Sequence, residues 1–318
     1  MQTYIIRRVL LLLPTLFFIT LFVFMAVRFL PGDVIDLMAS ELEDGAIDPE
    51  FRAKVAHKYN LNTAIPQQYA EWLLGIVAGD FGQSFLTDRP VFEDVRRKLP
   101  ISMQLGIMAM AFSITMAIPV GVTSAVWQDT WIDYLTRSLA ILLLAVPSFW
   151  LGLMAIVYGF QFFGWVPPIQ YRNIWDEPIT NLQILWVPAI ILGGALAGSV
   201  MRLTRSTMLE VLRQDYVRTA RAKGLHERHV IVRHALRNAA LPVVTVIGLQ
   251  VGLLVGGTVV LERIFSIPGM GNFLLTSLEQ RDYPAVQAVV LLSAVVVVLS
   301  NLIVDLSYAL IDPRIRYG

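Results

Sequence analysis

The sequence predicts an all-α polytopic membrane protein, with six transmembrane helices and a small extracytoplasmic region after the first. Three observations predict it. Of 318 residues, 56% are hydrophobic and only 15% charged, against about 45–50% and about 25% in an average soluble domain. Mean hydropathy is +0.63. Uncharged stretches long enough to cross a bilayer, which takes roughly 20 apolar residues, occur six times along the chain. Lys and Arg gather on one set of loops, and that asymmetry orients the spans.

The first stretch, about Val9 to Val27, follows Arg7 and Arg8. Its length exceeds the roughly 7–15 apolar residues of a secretory signal, and no small-residue cleavage site follows it, so it reads as a span. The others run from about Ile101 to Val126, Ser138 to Phe163, Ile184 to Met201, Leu241 to Leu261 and Pro284 to Val304. Arg137 precedes the third, Arg314 and Arg316 follow the sixth, and nine basic residues lie from Arg202 to Arg237 between the fourth and fifth. These loops read as cytoplasmic, with both termini on that side of the cell inner (plasma) membrane. The opposite short loops carry chiefly Arg172, Arg263 and Arg281.

The long loop from Pro31 to Pro100 mixes Phe51, Tyr59, Tyr69, Trp72, Phe81 and Phe85 with helical patterning and turn residues, so it reads as a structured region outside the membrane. Its acidic half, Asp33 to Glu50, lacks the regular carboxylate spacing and glycine of a calcium loop and reads as a solvated face. Trp127, Trp131, Trp165 and Trp186 fall near span ends, the depth an amphipathic ring prefers.

Net charge is +1, from 25 basic and 24 acidic side chains, so no global field points to nucleic acid. The chain has no Cys, which removes disulfides, thiolate metal sites and cysteine nucleophiles. The span interiors hold no Asp, Glu, Lys, Arg or His, which argues against intrinsic ion coupling, because a coupling site needs an ionisable group on the path. Asn301, Asp305 and Tyr308 share one face near the end of span six. For Asn301 and Asp305, hydrogen bonding to a neighbouring helix or the basic loop outweighs substrate contact. No GxxxxGK[ST] phosphate loop occurs, so ATP has no such site here. Gly194 and Gly198 in span four and Gly248, Gly252 and Gly256 in span five permit close helix approach, within the chain or at a partner. Pro14, Pro119 and Pro147 can bend spans one to three. Uncharged polar groups such as Gln104, Ser113, Thr115, Gln250 and Thr258 suffice for a permissive cavity, and none is singled out as a binding residue.

The most informative segment is Ser206 to Leu225. Leu209, Leu212, Tyr216 and Ala220 recur at three- and four-residue steps with Glu210, Arg213, Gln214, Arg218 and Arg221 between them, so it reads as one amphipathic helix. Gly224 is its left-handed stop. A second helical stretch from about Glu227 to Ala240 leads into span five. The result is a short rigid hook. It reads either as an interfacial helix whose arginines meet anionic lipid headgroups or as a docking lever for a soluble partner. His226, His229 and His234 match no familiar metal-site spacing, and no metal site is assigned.

The runs DYVRTARAKGL, Asp215 to Leu225, and RHALRNAALP, Arg233 to Pro242, resemble the cytoplasmic coupling loop of the permeases of ABC importers. The likeness is greatest to the first permease subunit of the dipeptide, oligopeptide and nickel group. In the general form of that loop a Glu-Ala-Ala triplet precedes a glycine; Arg218, Thr219 and Ala220 hold those places before Gly224. The peptide group shares that departure. IIRR at Ile5 to Arg8, PGD at Pro31 to Asp33 and GDFGQS at Gly79 to Ser84 resemble the same group. So do IFSIPGMGN at Ile264 to Asn272, RDYP at Arg281 to Pro284 and DPRIR at Asp312 to Arg316.

The resemblance implies a type I ABC importer permease: a transmembrane helix in 1–30, an extracytoplasmic region in 31–100, and a five-helix core in 101–318 with the coupling loop at 202–240. Asp215, Tyr216, Arg218, Thr219, Ala220, Arg221, Gly224 and Leu225 would couple to an ATPase, with Asn238 and Pro242 structural. Implied partners are a second permease, two ATPase subunits that carry ATP and Mg, and an extracytoplasmic solute-binding protein, within membrane lipid. The chain itself would hold no cofactor and do no chemistry. Cargo reads as di- or oligopeptide, with nickel, glutathione or oligosaccharide as alternatives. Readings of another class are an ATP-independent channel or carrier and a non-transporting scaffold.

Overall fold

A computed structural model describes residues 2–28 and 63–311. The helices, in order, are α1 (Gln2–Arg28), α2 (Ile65–Val77), α3 (Val91–Val126), α4 (Trp131–Ala145), α5 (Ser148–Phe163), α6 (Pro178–Leu212), α7 (Asp215–Ala222) and α8 (Glu227–His229). A π-helical segment (Val230–Leu236) follows, then α9 (Arg237–Gly257), α10 (Val259–Ile264), α11 (Met270–Glu279) and α12 (Tyr283–Ile311). Among the described residues, five helical runs are long and apolar enough to cross a membrane, and the bent pair α4 and α5 makes a sixth if counted as one broken span. The PGD motif, the acidic run to Glu50, Phe51, Tyr59 and the tail from Asp312 lie outside the described residues.

Span three departs from expectation. It is two helices bent by 97° rather than one helix from Ser138 to Phe163. The cause is Pro147, whose ring pushes the preceding residue out of the helical region: Val146 sits at φ −84°, ψ 123°, and α4 stops at Ala145. The amphipathic helix expected from Ser206 to Leu225 is also divided. Its first half prolongs α6 to Leu212, Gln214 is extended at φ −72°, ψ 149°, and α7 starts afresh at Asp215. Span five ends at Gly257 rather than Leu261, and α10 follows.

The chain divides into two compact units, one of Ile101–Gly271 and the residues from Val296 on, the other of Gln2–Pro100 and Asn272–Val295. In the second, α2 lies on α1: the Tyr69 ring is 5.2 Å and the Trp72 ring 5.6 Å from Phe24, and the Tyr69 hydroxyl is 2.9 Å from Thr20 Oγ1. In the first, Leu105 and Ala109 of α3, Leu185 and Ala189 of α6, and Leu261, Phe265 and Ile267 around α10 form the main core.

Lipid tails are as apolar as these side chains, so helix association rests on close fit and hydrogen bonds. The small residues provide that fit within the chain. Gly194 faces Leu143 and Gly198 faces Leu144 and the Ala140 carbonyl, while Gly248 faces Val304 and Gly252 faces Val297. Trp165 and Trp186 meet edge to face at 6.2 Å.

Candidate functional site

The hook starts where α6 stops. Val217 and Ala220 of α7 are buried with Val230 against Val211 and Leu212, so α7 folds back onto the last turn of α6. That leaves Asp215, Tyr216, Arg218, Thr219, Arg221 and Ala222 exposed. Thr219 Oγ1 donates to the Asp215 carbonyl at 2.9 Å, and Arg218 lies 3.6 Å from the Asp215 carboxylate.

The stop is built from two backbone bonds. Leu225 N donates to the Ala220 carbonyl at 3.4 Å, and Gly224 N to the Arg221 carbonyl at 2.9 Å, the paired closure of a helix that ends in a left-handed residue. Gly224 has φ +76°, and a Cβ there would meet nothing within 4 Å among the described residues. Conformation, not space, demands glycine. Arg221 then reaches across the turn to Glu227, with bonds of 2.7 and 3.2 Å. This pair holds the Arg221 guanidinium above its ordinary range.

The return limb is clamped as well. His226 Nδ1 accepts from Arg228 N at 3.3 Å, and the His229 and His234 rings stand 5.7 Å apart. Val230 and Ala235, five residues apart on the π-helical segment, are both buried. Asn238 Nδ2 donates to the Tyr216 hydroxyl at 2.9 Å and to the His234 carbonyl at 2.8 Å. Pro242 lies inside α9. Beneath the hook, Ala125, Met208, Ala235 and Ala239 form a small core joining α3, α6, the π-helical segment and α9.

Two acids buried in the same unit escaped sequence reasoning. Asp133, wholly buried in the first turn of α4, accepts from Arg205 Nε at 2.8 Å and Nη2 at 2.7 Å. It also accepts from Ser124 Oγ at 2.6 Å and Asp129 N at 3.0 Å. Glu262, also wholly buried, accepts from Ser102 Oγ at 2.6 Å, and that oxygen accepts from Met270 N at 2.7 Å. Asp133 precedes span three as drawn and Glu262 follows span five by one residue. An acid just outside an uncharged run was the only signal.

Two of the unexplained motifs meet. Ser84 of GDFGQS donates to Asp282 of RDYP at 2.5 Å, and Phe85 N donates to the same carboxylate at 3.1 Å. Burial pushes the Asp282 carboxyl up, with Ser84 and Phe85 opposing. Of the uncharged polar residues, Gln104 bonds Asn181, Gln250 bonds Ser199 at 2.7 Å, and Thr115 bonds back to its own helix. Ser113 Oγ and Thr258 Oγ1 are buried and have no hydrogen-bond partner among the described residues. Asn301 is exposed on α12 rather than enclosed by neighbouring helices, and the Asp305 side chain lies outside the described residues.

The profile of a family described as the inner membrane component of binding-protein-dependent transport systems matches residues 117–317. A companion profile for the N-terminal part of such components matches residues 1–106. This chain belongs to that family. It is a permease of the ABC importer class and a multi-pass inner-membrane protein. It is 40% identical to the dipeptide transport system permease protein DppB of Escherichia coli K12, over all of this chain and 99% of the relative. It is 38% identical, over the whole of both chains, to the glutathione transport system permease protein GsiC of Pectobacterium atrosepticum and of Escherichia coli K12. The permease is therefore one subunit of a larger transport complex.

Proposed function

We propose that this permease forms half of the pathway of an ATP-driven importer for di- or oligopeptides, and that the hook is its contact with an ATPase subunit. The observation that carries this reading is the rigid, exposed α7. It is stopped by a left-handed glycine, stapled to α9 through Tyr216 and Asn238, and seated on the end of α6. From Met201, where the uncharged stretch ends, α6 runs eleven residues further to Leu212, about 16 Å at 1.5 Å per residue. That length lifts α7 off the hydrocarbon boundary, which favours a lever over a helix lying among headgroups.

In this reading both termini and residues 202–240 are cytoplasmic, and 31–100 face the other side. A second permease completes the path, two ATPase subunits bind ATP and Mg, and a solute-binding protein delivers cargo. This chain binds no nucleotide, metal or nucleic acid and catalyses nothing. Closure of the ATPases would move the hooks and switch the helices between two packings. Asp215, Tyr216, Arg218, Thr219, Ala220, Arg221, Gly224 and Leu225 make or shape the docking surface.

Glutathione is the second reading of the cargo, because the relatives named for it match at 38% over full length. The test is reconstitution of the complex in liposomes with its binding protein. Uptake of labelled dipeptides that requires ATP, and disappears when the ATPases are omitted, supports the proposal. Uptake without ATP or ATPase would replace it with a channel or carrier. ATP-driven uptake of glutathione, nickel chelate or oligosaccharide but not of dipeptides would keep the mechanism and change the cargo.

A further inference from the structure

We propose that Asp133 and Arg205 are positioning residues for coupling, a clamp that makes α4 travel with the hook. The inference rests on the reading of the hook as the ATPase contact. Arg205 lies seven residues before the end of α6 at Leu212, where α7 is seated. Its guanidinium grips both oxygens of Asp133, at 2.8 and 2.7 Å. The same carboxylate takes Ser124 Oγ at the end of α3 and the Asp129 amide in the turn before α4. One buried group thus ties the end of α3, the start of α4 and the stem of the hook.

The remaining contacts of α4 with α6 are of another kind. Gly194 and Gly198 meet Leu143, Leu144 and the Ala140 carbonyl. Apolar surfaces of this sort have no strong axial preference in a bilayer, where lipid competes on equal terms. A two-point fork on a carboxylate fixes both register and rotation, and a carboxylate with no exposure cannot let go of Arg205 without leaving a buried charge held only by the neutral donors Ser124 and Asp129 N. Beyond the clamp, α4 bends at Val146 and Pro147 into α5, where Gly152 meets Leu261, Ile264 and Phe265 of the core around α10. Movement of the hook therefore has a stiff route into helices deep in the unit.

The chain has no Cys, so labels can be placed at will. Spin labels at Ala222→Cys on the hook and Leu142→Cys on α4, both exposed positions, report whether the two move together in the full complex. In the otherwise unchanged chain the distance should be the same without nucleotide and with ATP trapped. In Arg205→Lys, which keeps the charge and loses the fork, it should differ between the two states. Substrate-stimulated ATP hydrolysis should fall to the basal rate while basal hydrolysis persists. Asp133→Asn should do the same, and the exchanged pair Asp133→Arg with Arg205→Asp should recover part of the stimulation.

A clamp that only aids folding would lower the amount of complex without altering the distance or the stimulation of what assembles, and that result overturns the proposal. Should Asp133→Asn fail to assemble, Arg205→Lys alone decides. If the unaltered complex carries no ATPase or shows no stimulation, the hook reading fails first and takes the clamp with it.

Discussion

Asn238 and Tyr216 staple the two limbs of the hook: the amide donates to the phenol oxygen at 2.9 Å across 22 residues of chain. Besides this bond, α7 is held by its two buried side chains, Val217 and Ala220, and by the exposed Arg221 and Glu227 pair. Tyr216→Phe removes only the hydroxyl, and with it the acceptor for Asn238, and should cost about 1 kcal/mol, a roughly fivefold rise in local opening at 1.4 kcal/mol per decade. Amide hydrogen exchange in residues 215–222 should rise by about that factor while exchange in α6 stays unchanged. Equal exchange in both proteins would mean that apolar seating and the Arg221 and Glu227 pair hold α7 without the staple.

Gly224 gives a ranking rather than a single effect. Its φ of +76° costs a residue with a side chain about 1–2 kcal/mol, and Asn tolerates that region better than Ala or a β-branched residue. Among the described residues no atom lies within 4 Å of the missing Cβ, so bulk itself is not penalised. Substrate-stimulated ATP hydrolysis in assembled complexes should therefore fall in the order Gly, Asn, Ala, Val. A series that instead followed side-chain volume would point to a docked surface at this spot.

The spans were legible because lipid imposes a hard rule: about 20 residues without charge. α1, α3, α6 and α12 enclose the stretches read from the sequence. Water imposes no such rule, so the sequence did not show that Val91–Pro100 prolongs α3, or that Ser206–Leu212, read as half of a separate amphipathic helix, prolongs α6. Gly224 was legible because a left-handed stop is a local property, whereas the division at Gln214 depends on Val217 finding Val211 and Leu212 in three dimensions. The trio Ser124, Asp133 and Arg205 and the pairs Ser102 with Glu262 and Ser84 with Asp282 were beyond reach for the same reason. The last spans 198 residues, and nothing local names its partner.

The Ser84 and Asp282 pair should respond to pH with a definite sign. Burial raises the Asp282 carboxyl above its ordinary value, so the folded chain holds this proton more tightly than the unfolded one. The stability it contributes is complete below the unfolded value, about 3.9, and is lost as pH rises through the folded value. Asp282→Asn cannot ionise; its one oxygen can still accept from Phe85 N, and its NH2 then faces the Ser84 hydroxyl, which can accept instead of donating. Its thermal midpoint, relative to the unaltered protein, should climb as pH increases from 4 and then level off. A relative midpoint that falls over that range would mean that the hydrogen bonds to the carboxylate outweigh its burial.

Close helix contacts separate into those a second mutation can relieve and those it cannot. A Cβ on Gly248 would stand 1.8 Å from Val304 Cγ2, a side-chain atom, whereas one on Gly193 would stand 2.4 Å from the Ala109 carbonyl oxygen, which is backbone. Either alanine overpacks its site, at about 1–3 kcal/mol. Val304→Ala removes the offending methyl and leaves only its Cβ, at 3.2 Å, so Gly248→Ala with Val304→Ala should regain most of the thermal midpoint lost by Gly248→Ala alone. No trimming at Ala109 moves a carbonyl, so Gly193→Ala should stay destabilised when Ala109→Gly is added. Recovery in the second pair would mean that α3 and α6 can draw apart cheaply. That is incompatible with a core in which Leu105 and Leu185 have no exposed surface.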